Sequence, residues 1–246
     1  MYDEPRFLPA GDSALVLELS DAIEAECNRK IISIIRSVEK IKGIKETVPT
    51  YRSILVYYDP LVTNFFGLKD ELNEAYKNTE IKSGGRGRTF TIPVCYGDDF
   101  GPDLKFVADH NGLSEEEVIK IHGSADYLVY MIGFMPGFTY LGGMDERIAT
   151  PRLEKPREKI PAGSVGIAGK QTGIYPLGSP GGWRIIGRTP VKMYDPESEN
   201  PVPIRAGDTM RFKRIGEKEY EKIKEEIRKE ETRKEMRVGG PGKNES

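Results

Sequence analysis

The chain is 246 residues long, enough for two modest domains or one large β-rich one, and its 37 Lys and Arg nearly cancel 39 Asp and Glu, for a formal net charge of -2. That balance excludes a global attraction to nucleic acid or to an anionic membrane surface. The two cysteines, Cys27 and Cys95, show no CxxC and no clustering with the two histidines, His110 and His122, so they read as core thiols in a reducing compartment.

The opening MYDEPRFLPA has neither a basic nor an apolar leader region, and no window is apolar enough to span a bilayer, so the expected location is the cytoplasm. In chain order, 6–8 and 14–19 read as short strands around Gly11-Asp12. Asp21 is placed to cap a helix on which Ile23, Cys27, Ile31, Ile34, Ile35, Val38 and Ile41 recur at helical spacing up to Gly43. Strands at 44–48 and 53–58 follow, then a helix over 63–78 with Phe66, Leu68, Leu72 and Tyr76. The order ββαββα predicts an α+β domain with two helices on one face of a small, mostly antiparallel sheet.

At 81–88 the composition changes to IKSGGRGR, a glycine-rich and cationic joint that sets the domain boundary near Ser83. No GK[ST] follows, so the stretch reads as a linker and not as a phosphate loop. Beyond it, 89–95 alternates like a strand, and Asp99 or Asp103 can start a helix through His110. Asp98, Asp99 and Asp103 lack the spacing of a calcium loop and are explained by turns and caps. Ser114 with Glu117 forms a capping box for a helix through Ile121. His110 and His122 lie near predicted helix ends, where a cation is favourable.

From Asp126 the chain turns to strands: an apolar run at 127–135, then short strands around 165–168, 174–175, 183–187, 191–194 and 210–213, divided by Gly/Pro turns. That pattern predicts a closed or nearly closed β-barrel. The tail from Glu217 to Arg237 is helical by propensity, highly charged but close to neutral; Tyr220, Ile223 and Ile227 can dock one face, and VGGPGKNES after it reads as disordered. The expected domains are therefore 1–82, 83–215 and 216–246.

The chemistry is sought in 130–188, where glycine, proline and aromatic residues are densest. Arg152 and Arg157 each follow a proline that stiffens the backbone, which suits an anion site; the competing reading pairs them with Glu154 and Glu158 on the surface. Gln171-Thr172 offers an amide and a hydroxyl to a neutral polar ligand. Ser179-Pro180-Gly181-Gly182-Trp183 combines glycine-freed backbone N–H groups with an indole. There is no GxSxG, no HExxH and no histidine in this stretch to serve a serine nucleophile, so catalysis here works by positioning and electrostatics or with groups from a partner.

Several long segments carry a resemblance: Gly133-Phe134-Met135-Pro136-Gly137-Phe138-Thr139-Tyr140-Leu141, Pro151-Arg152 to Pro156-Arg157, 160–169 (IPAGSVGIAG), Gln171-Thr172-Gly173-Ile174-Tyr175-Pro176, and Ser179-Pro180-Gly181-Gly182-Trp183 through Arg188-Thr189-Pro190. They resemble the allophanate hydrolase subunit 1 family, which includes KipI-like proteins and the B component of bacterial ATP-dependent 5-oxoprolinase. The resemblance covers roughly 1–215 and implies a cyclophilin-like β-barrel after the α/β N-terminal domain. It also implies a KipA-like (allophanate hydrolase subunit 2) partner, a LamB/YcsF-like third subunit, and ATP used by the complex, with neither metal nor biotin on this chain. The activity implied is opening of 5-oxo-L-proline to L-glutamate, with the isolated chain inactive. The alternatives are inhibition of a sensor histidine kinase and carboxyl transfer to urea or allophanate. On the first reading Arg152 and Arg157 hold the substrate carboxylate or a phosphorylated intermediate, and Gln171, Thr172 and Tyr175 orient the lactam. Ser179, Gly181, Gly182 and Trp183 stabilise developing charge, Arg188 completes the binding set, and Phe134, Pro136, Gly137, Phe138 and Tyr140 form the pocket wall.

Overall fold

A computed structural model describes residues 1–81 and 87–238, the side chains of 231–238 excepted. The expected joint near Ser83 and the expected disordered end beyond Val238 lie outside the described residues. The chain divides into two compact units. The first comprises Met1–Phe90, Asp126–Met144 and Val202–Met210; the second comprises Thr91–Ala125, Asp145–Pro201 and the chain from Arg211.

In the first unit, β1 (Arg6–Pro9), β2 (Ala14–Glu18), β4 (Ser53–Tyr58) and β3 (Ile44–Pro49) form a sheet in the order β1-β2-β4-β3 with antiparallel pairing. Period-two alternation puts Leu15, Leu17, Ile54, Val56 and Tyr58 into one core with α1 (Ala25–Val38) and α2 (Phe65–Asn78). The helices contribute Cys27, Ile31, Ile34, Val38, Leu68 and Leu72, the 3.6-residue stripe seen in the sequence. Each such aliphatic side chain contributes about 1.5–3 kcal/mol by leaving water. Asp21, expected to cap α1, does not: Glu24 occupies the N-cap without a side-chain bond. Asn64 caps α2 by accepting from Phe66 N and Gly67 N.

The later pieces of this unit are stitched to it by polar contacts. The Asp208 carboxylate accepts from Arg88 N and Arg205 N, both at 2.9 Å, and pairs with Arg88 Nη2 at 3.0 Å. Asn28 on α1 donates to Thr50 O and to Tyr130 O.

Seven strands close into a barrel in the order β10-β7-β6-β13-β5-β12-β9: β5 (Thr89–Tyr96), β6 (Tyr127–Ile132), β7 (Thr139–Gly142), β9 (Ser164–Ala168), β10 (Gln171–Ile174), β12 (Arg184–Arg188) and β13 (Thr209–Arg214). A separate ribbon pairs β8 (Arg157–Ile160) with β11 (Ser179–Gly181). The second unit also holds α3 (Leu104–Asn111) and α4 (Glu115–Ser124), the latter opened by the Ser114/Glu117 capping box. Next come a 3-10 turn at Glu146–Ile148 and α5 (Glu217–Val238), which docks through Tyr220 and Ile223 beside Cys95, Phe100 and Ile215.

Expectations at 191–194 and at His122 fail in the second unit. The strand expected at 191–194 is absent: the segment runs between Pro190 and Pro196 and the backbone at its ends bonds locally, Val191 N to Thr189 Oγ1 and Asp195 N to Pro201 O. His122, read as a helix-end cation, points into the interior and is fully buried. Among the described residues no helix is long and apolar enough to cross a membrane.

Candidate functional site

The β8–β11 ribbon brings Arg157 directly opposite Gly181 and Ile160 opposite Ser179. Only glycine permits this: a Cβ at Gly181 would lie 2.5 Å from Tyr175 Oη and 2.7 Å from Ile160 Cδ1. Leu153 N donates to Gly182 O at 2.8 Å, which lays the segment carrying Arg152 against the same loop. Trp183 and Tyr175, both buried, meet edge to face at 6.4 Å between centroids. The exposed Arg152 guanidinium stands 5.9 Å from the Trp183 ring. Arg152, Arg157, Tyr175, Ser179, Gly181, Gly182 and Trp183 therefore share one locus, although they span about thirty positions of sequence.

A buried carboxylate organises the cations there. Asp103 Oδ2 and Oδ1 accept from Arg157 Nη1 and Nη2 at 2.9 and 2.8 Å, a two-pronged pair. Oδ2 also accepts from Ile185 N at 2.6 Å, and Arg184 Nη1 lies 3.9 Å from Oδ1. The surface pairing of Arg157 with Glu158 is thus replaced by an internal one, and Asp103, expected to cap α3, makes no side-chain cap bond at that N-cap. Arg184 lies with its guanidinium carbon 3.6 Å from the Phe106 ring centroid. Asp103 and Arg184 are additions to the expected site; the signal for Arg184 is a cation beside Trp183 at the head of an apolar strand.

Other expected members lie apart. Thr172 is fully buried; its hydroxyl donates to Gly166 O at 3.0 Å and meets His122 Nε2 at 2.9 Å, so it is not offered to a ligand. Arg188 ends the strand that Arg184 begins, about 13 Å away at the usual rise per residue. It donates to Asp99 O at 3.2 Å and lies 5.8 Å from the Phe100 ring, on the ring that packs edge to face on Tyr220 of α5. Gln171 Nε2 and Ser179 Oγ are buried without a hydrogen-bond partner.

Phe134, Pro136, Gly137, Phe138 and Tyr140 belong to the first unit, in and after the turn between β6 and β7. Gly137 (φ 82°) and Phe134 (φ 66°) both take left-handed backbone, which is costly for a phenylalanine. Phe134 is 62% exposed, whereas Phe138 is buried and packs on Tyr140 at 4.7 Å. Tyr140 in turn meets Tyr51 at 5.5 Å.

Residues 5–204 match the family described as carboxyltransferase domain, subdomain C and D. The chain is 43% identical over 228 residues to the B component of 5-oxoprolinase from Bacillus subtilis (strain 168), covering 88% of this chain and 95% of that one. Among solved structures, a conserved uncharacterised protein of Pyrococcus horikoshii is 49% identical, with a TM-score of 0.54 over 87% of this chain and 100% of that one. The K. lactis urea amidolyase shares the fold at 23% identity, with a TM-score of 0.73 over 90% of this chain and 15% of the much longer enzyme.

Proposed function

The chain belongs to the carboxyltransferase subdomain C and D family, and from that premise we propose that it is the B component of an ATP-dependent 5-oxoprolinase. The complex opens the lactam of 5-oxo-L-proline to L-glutamate, with a KipA-like subunit and a LamB/YcsF-like subunit as partners in the cytoplasm. Its barrel is of the cyclophilin-like kind, ATP acts at the level of the complex, and the isolated chain is inactive.

The observation that carries the site assignment is the exposed Arg152 over Trp183, on the loop that faces the strand of Arg157. Arg157 and Arg184 share the single carboxylate of Asp103, and the exposed Arg152 stands beside the Trp183 indole, which packs edge to face on Tyr175. The substrate carries one carboxylate and a neutral lactam, so a cationic anchor with a partly apolar wall matches both ends of it. Arg152 is the exposed member and takes the carboxylate. On this reading the 179–183 loop faces the charge that develops on the lactam oxygen as the C–N bond breaks. Thr172 and Arg188 are left to the barrel interior and the α5 contact, and Gln171, with its unpartnered amide nitrogen, is kept as an orienting group.

The test is reconstitution of the chain with its candidate partner subunits, ATP and 5-oxoproline, measuring glutamate release. Arg152→Ala should lower kcat/KM about 10–100-fold, the loss of a charged hydrogen-bonding anchor. An active complex indifferent to Arg152→Ala would sink the site assignment, and no glutamate release with any partner would sink the activity.

A second reading is supported by the family description and by the shared fold of the K. lactis urea amidolyase: carboxyl transfer from a biotin carrier. This chain carries no AMKM-type attachment sequence, so the biotin would come from another chain. Bicarbonate- and biotin-dependent ATP turnover with urea separates it from 5-oxoproline-dependent turnover.

A further inference from the structure

We propose that Asp103 is the positioning residue of the arginine site: it fixes the Arg157 guanidinium in place so that the donors it does not take remain for the ligand carboxylate. The inference rests on the reading of that site as the holder of 5-oxoproline.

A guanidinium has five N–H groups. Asp103 takes one from each terminal nitrogen of Arg157, which leaves three on a side chain that is still 33% exposed. A free arginine would lose about 2 kcal/mol of rotamer entropy on binding; one already held in a fork has lost it in advance.

Asp103 is itself held firmly. Its carboxylate is 7% exposed and accepts from Ile185 N, while its own N–H donates to Ile185 O at 2.9 Å. The residue is thus locked to β12 through backbone and side chain together. Arg184 extends the same arrangement: one terminal nitrogen lies 3.9 Å from Asp103 Oδ1, and its Nε donates to Pro151 O at 3.4 Å, the residue before Arg152. One buried carboxylate therefore steadies Arg157 directly and the Arg152 segment through Arg184. Arg157 keeps a third of its side chain exposed, on the strand facing Gly181 of the loop that leads into Trp183.

The test uses the reconstituted complex and separates KM for 5-oxoproline from KM for ATP. Asp103→Asn keeps the shape but cannot accept two guanidinium bonds; it should raise KM for 5-oxoproline about 10-fold while kcat and KM for ATP stay within about 2-fold. Arg157→Lys keeps the charge and removes the fork, and should give the same split. Unchanged KM for 5-oxoproline in Asp103→Asn, with Arg157→Ala raising it, overturns the positioning role and leaves the site standing. Unchanged KM for 5-oxoproline in Arg152→Ala overturns the site itself. Where Asp103→Asn fails to assemble, Arg157→Lys decides alone: wild-type KM for 5-oxoproline overturns the proposal, and a selectively raised one supports it.

Discussion

His122 Nε2 stands 2.9 Å from Thr172 Oγ1, and a third atom fixes the direction of that bond. The one hydroxyl proton of Thr172 goes to Gly166 O at 3.0 Å, so the donor count assigns the imidazole proton to Nε2. Nδ1 then carries a lone pair toward Tyr96 Oη at 2.8 Å, and donation runs in one sense from Tyr96 through His122 and Thr172 to Gly166. Phe212 stacks on the ring at 4.5 Å and completes a burial that holds the imidazole neutral.

This geometry gives the fold a dependence on acid. Burial pushes the His122 pKa down from 6.5 to about 3. Between those values the unfolded chain binds a proton that the folded chain refuses, so the stability is fully present above about pH 6.5 and is lost progressively as pH falls toward 3. At pH 4.5 the loss from this one group is on the order of 3 kcal/mol. Urea unfolding at pH 7.5 and 4.5 should show it, and His122→Phe should lack this part of the decline. Equal declines in the two proteins would refute the assignment.

The same chain of bonds predicts a sharp difference between two small substitutions. Thr172→Val removes the acceptor of a buried imidazole N–H and should cost about 1–3 kcal/mol. Thr172→Ser keeps the hydroxyl and should cost about 1 kcal/mol or less, from the lost methyl. Thermal melts compare them directly; equal losses would show that the hydroxyl is not bonded as described.

What is legible in the sequence and what is hidden there follow from range. The α1 and β2 stripes can be read because burial repeats within a single element, at 3.6 and 2 residues. The Ser114/Glu117 box is visible because both partners sit within one turn. Arg152, Arg157 and Trp183 are marked by their proline and glycine neighbours, which shape the β8–β11 ribbon. Asp103 misleads because a carboxylate ahead of a helix has a local use in capping, whereas its partner Arg157 is 54 residues away. His122 misleads likewise: its partner Thr172 lies 50 residues on, and no local pattern says which strand meets α4. Arg188 is near Arg184 in sequence, but four residues along a strand are enough to carry it to another neighbourhood.

The thiol of Cys27 should be inert in the folded protein. Burial, the largest cause, pushes its pKa up to about 11, so at pH 8 the reactive thiolate is scarce and the sulfur is fully covered. Cys95 is raised in the same direction, again by burial first. Labelling with an aromatic disulfide reagent at pH 8 should find neither cysteine until denaturant is added, then both. A stoichiometric burst before unfolding would contradict this burial.

Asn28 supports an irregularity that the β6–β7 pairing cannot satisfy by itself. The register shifts between Val129 and Met131, which makes Tyr130 the extra residue of a bulge. Its carbonyl is taken by Asn28 Nδ2 at 3.1 Å, and the same amide donates to Thr50 O at 3.2 Å. Asn28 is fully buried, so Asn28→Ala strips two carbonyls of a donor in a site water does not reach and should cost about 2–4 kcal/mol. Asn28→Asp is nearly the same size but cannot donate when ionised, and it brings a charge toward two carbonyl oxygens; it should be worse than alanine at neutral pH and recover relative to it as acid protonates the carboxyl. Urea midpoints of the two variants at pH 7.5 and pH 5 decide the matter. An aspartate variant as stable as wild type at pH 7.5 would mean that the bulge carbonyl does not depend on this amide.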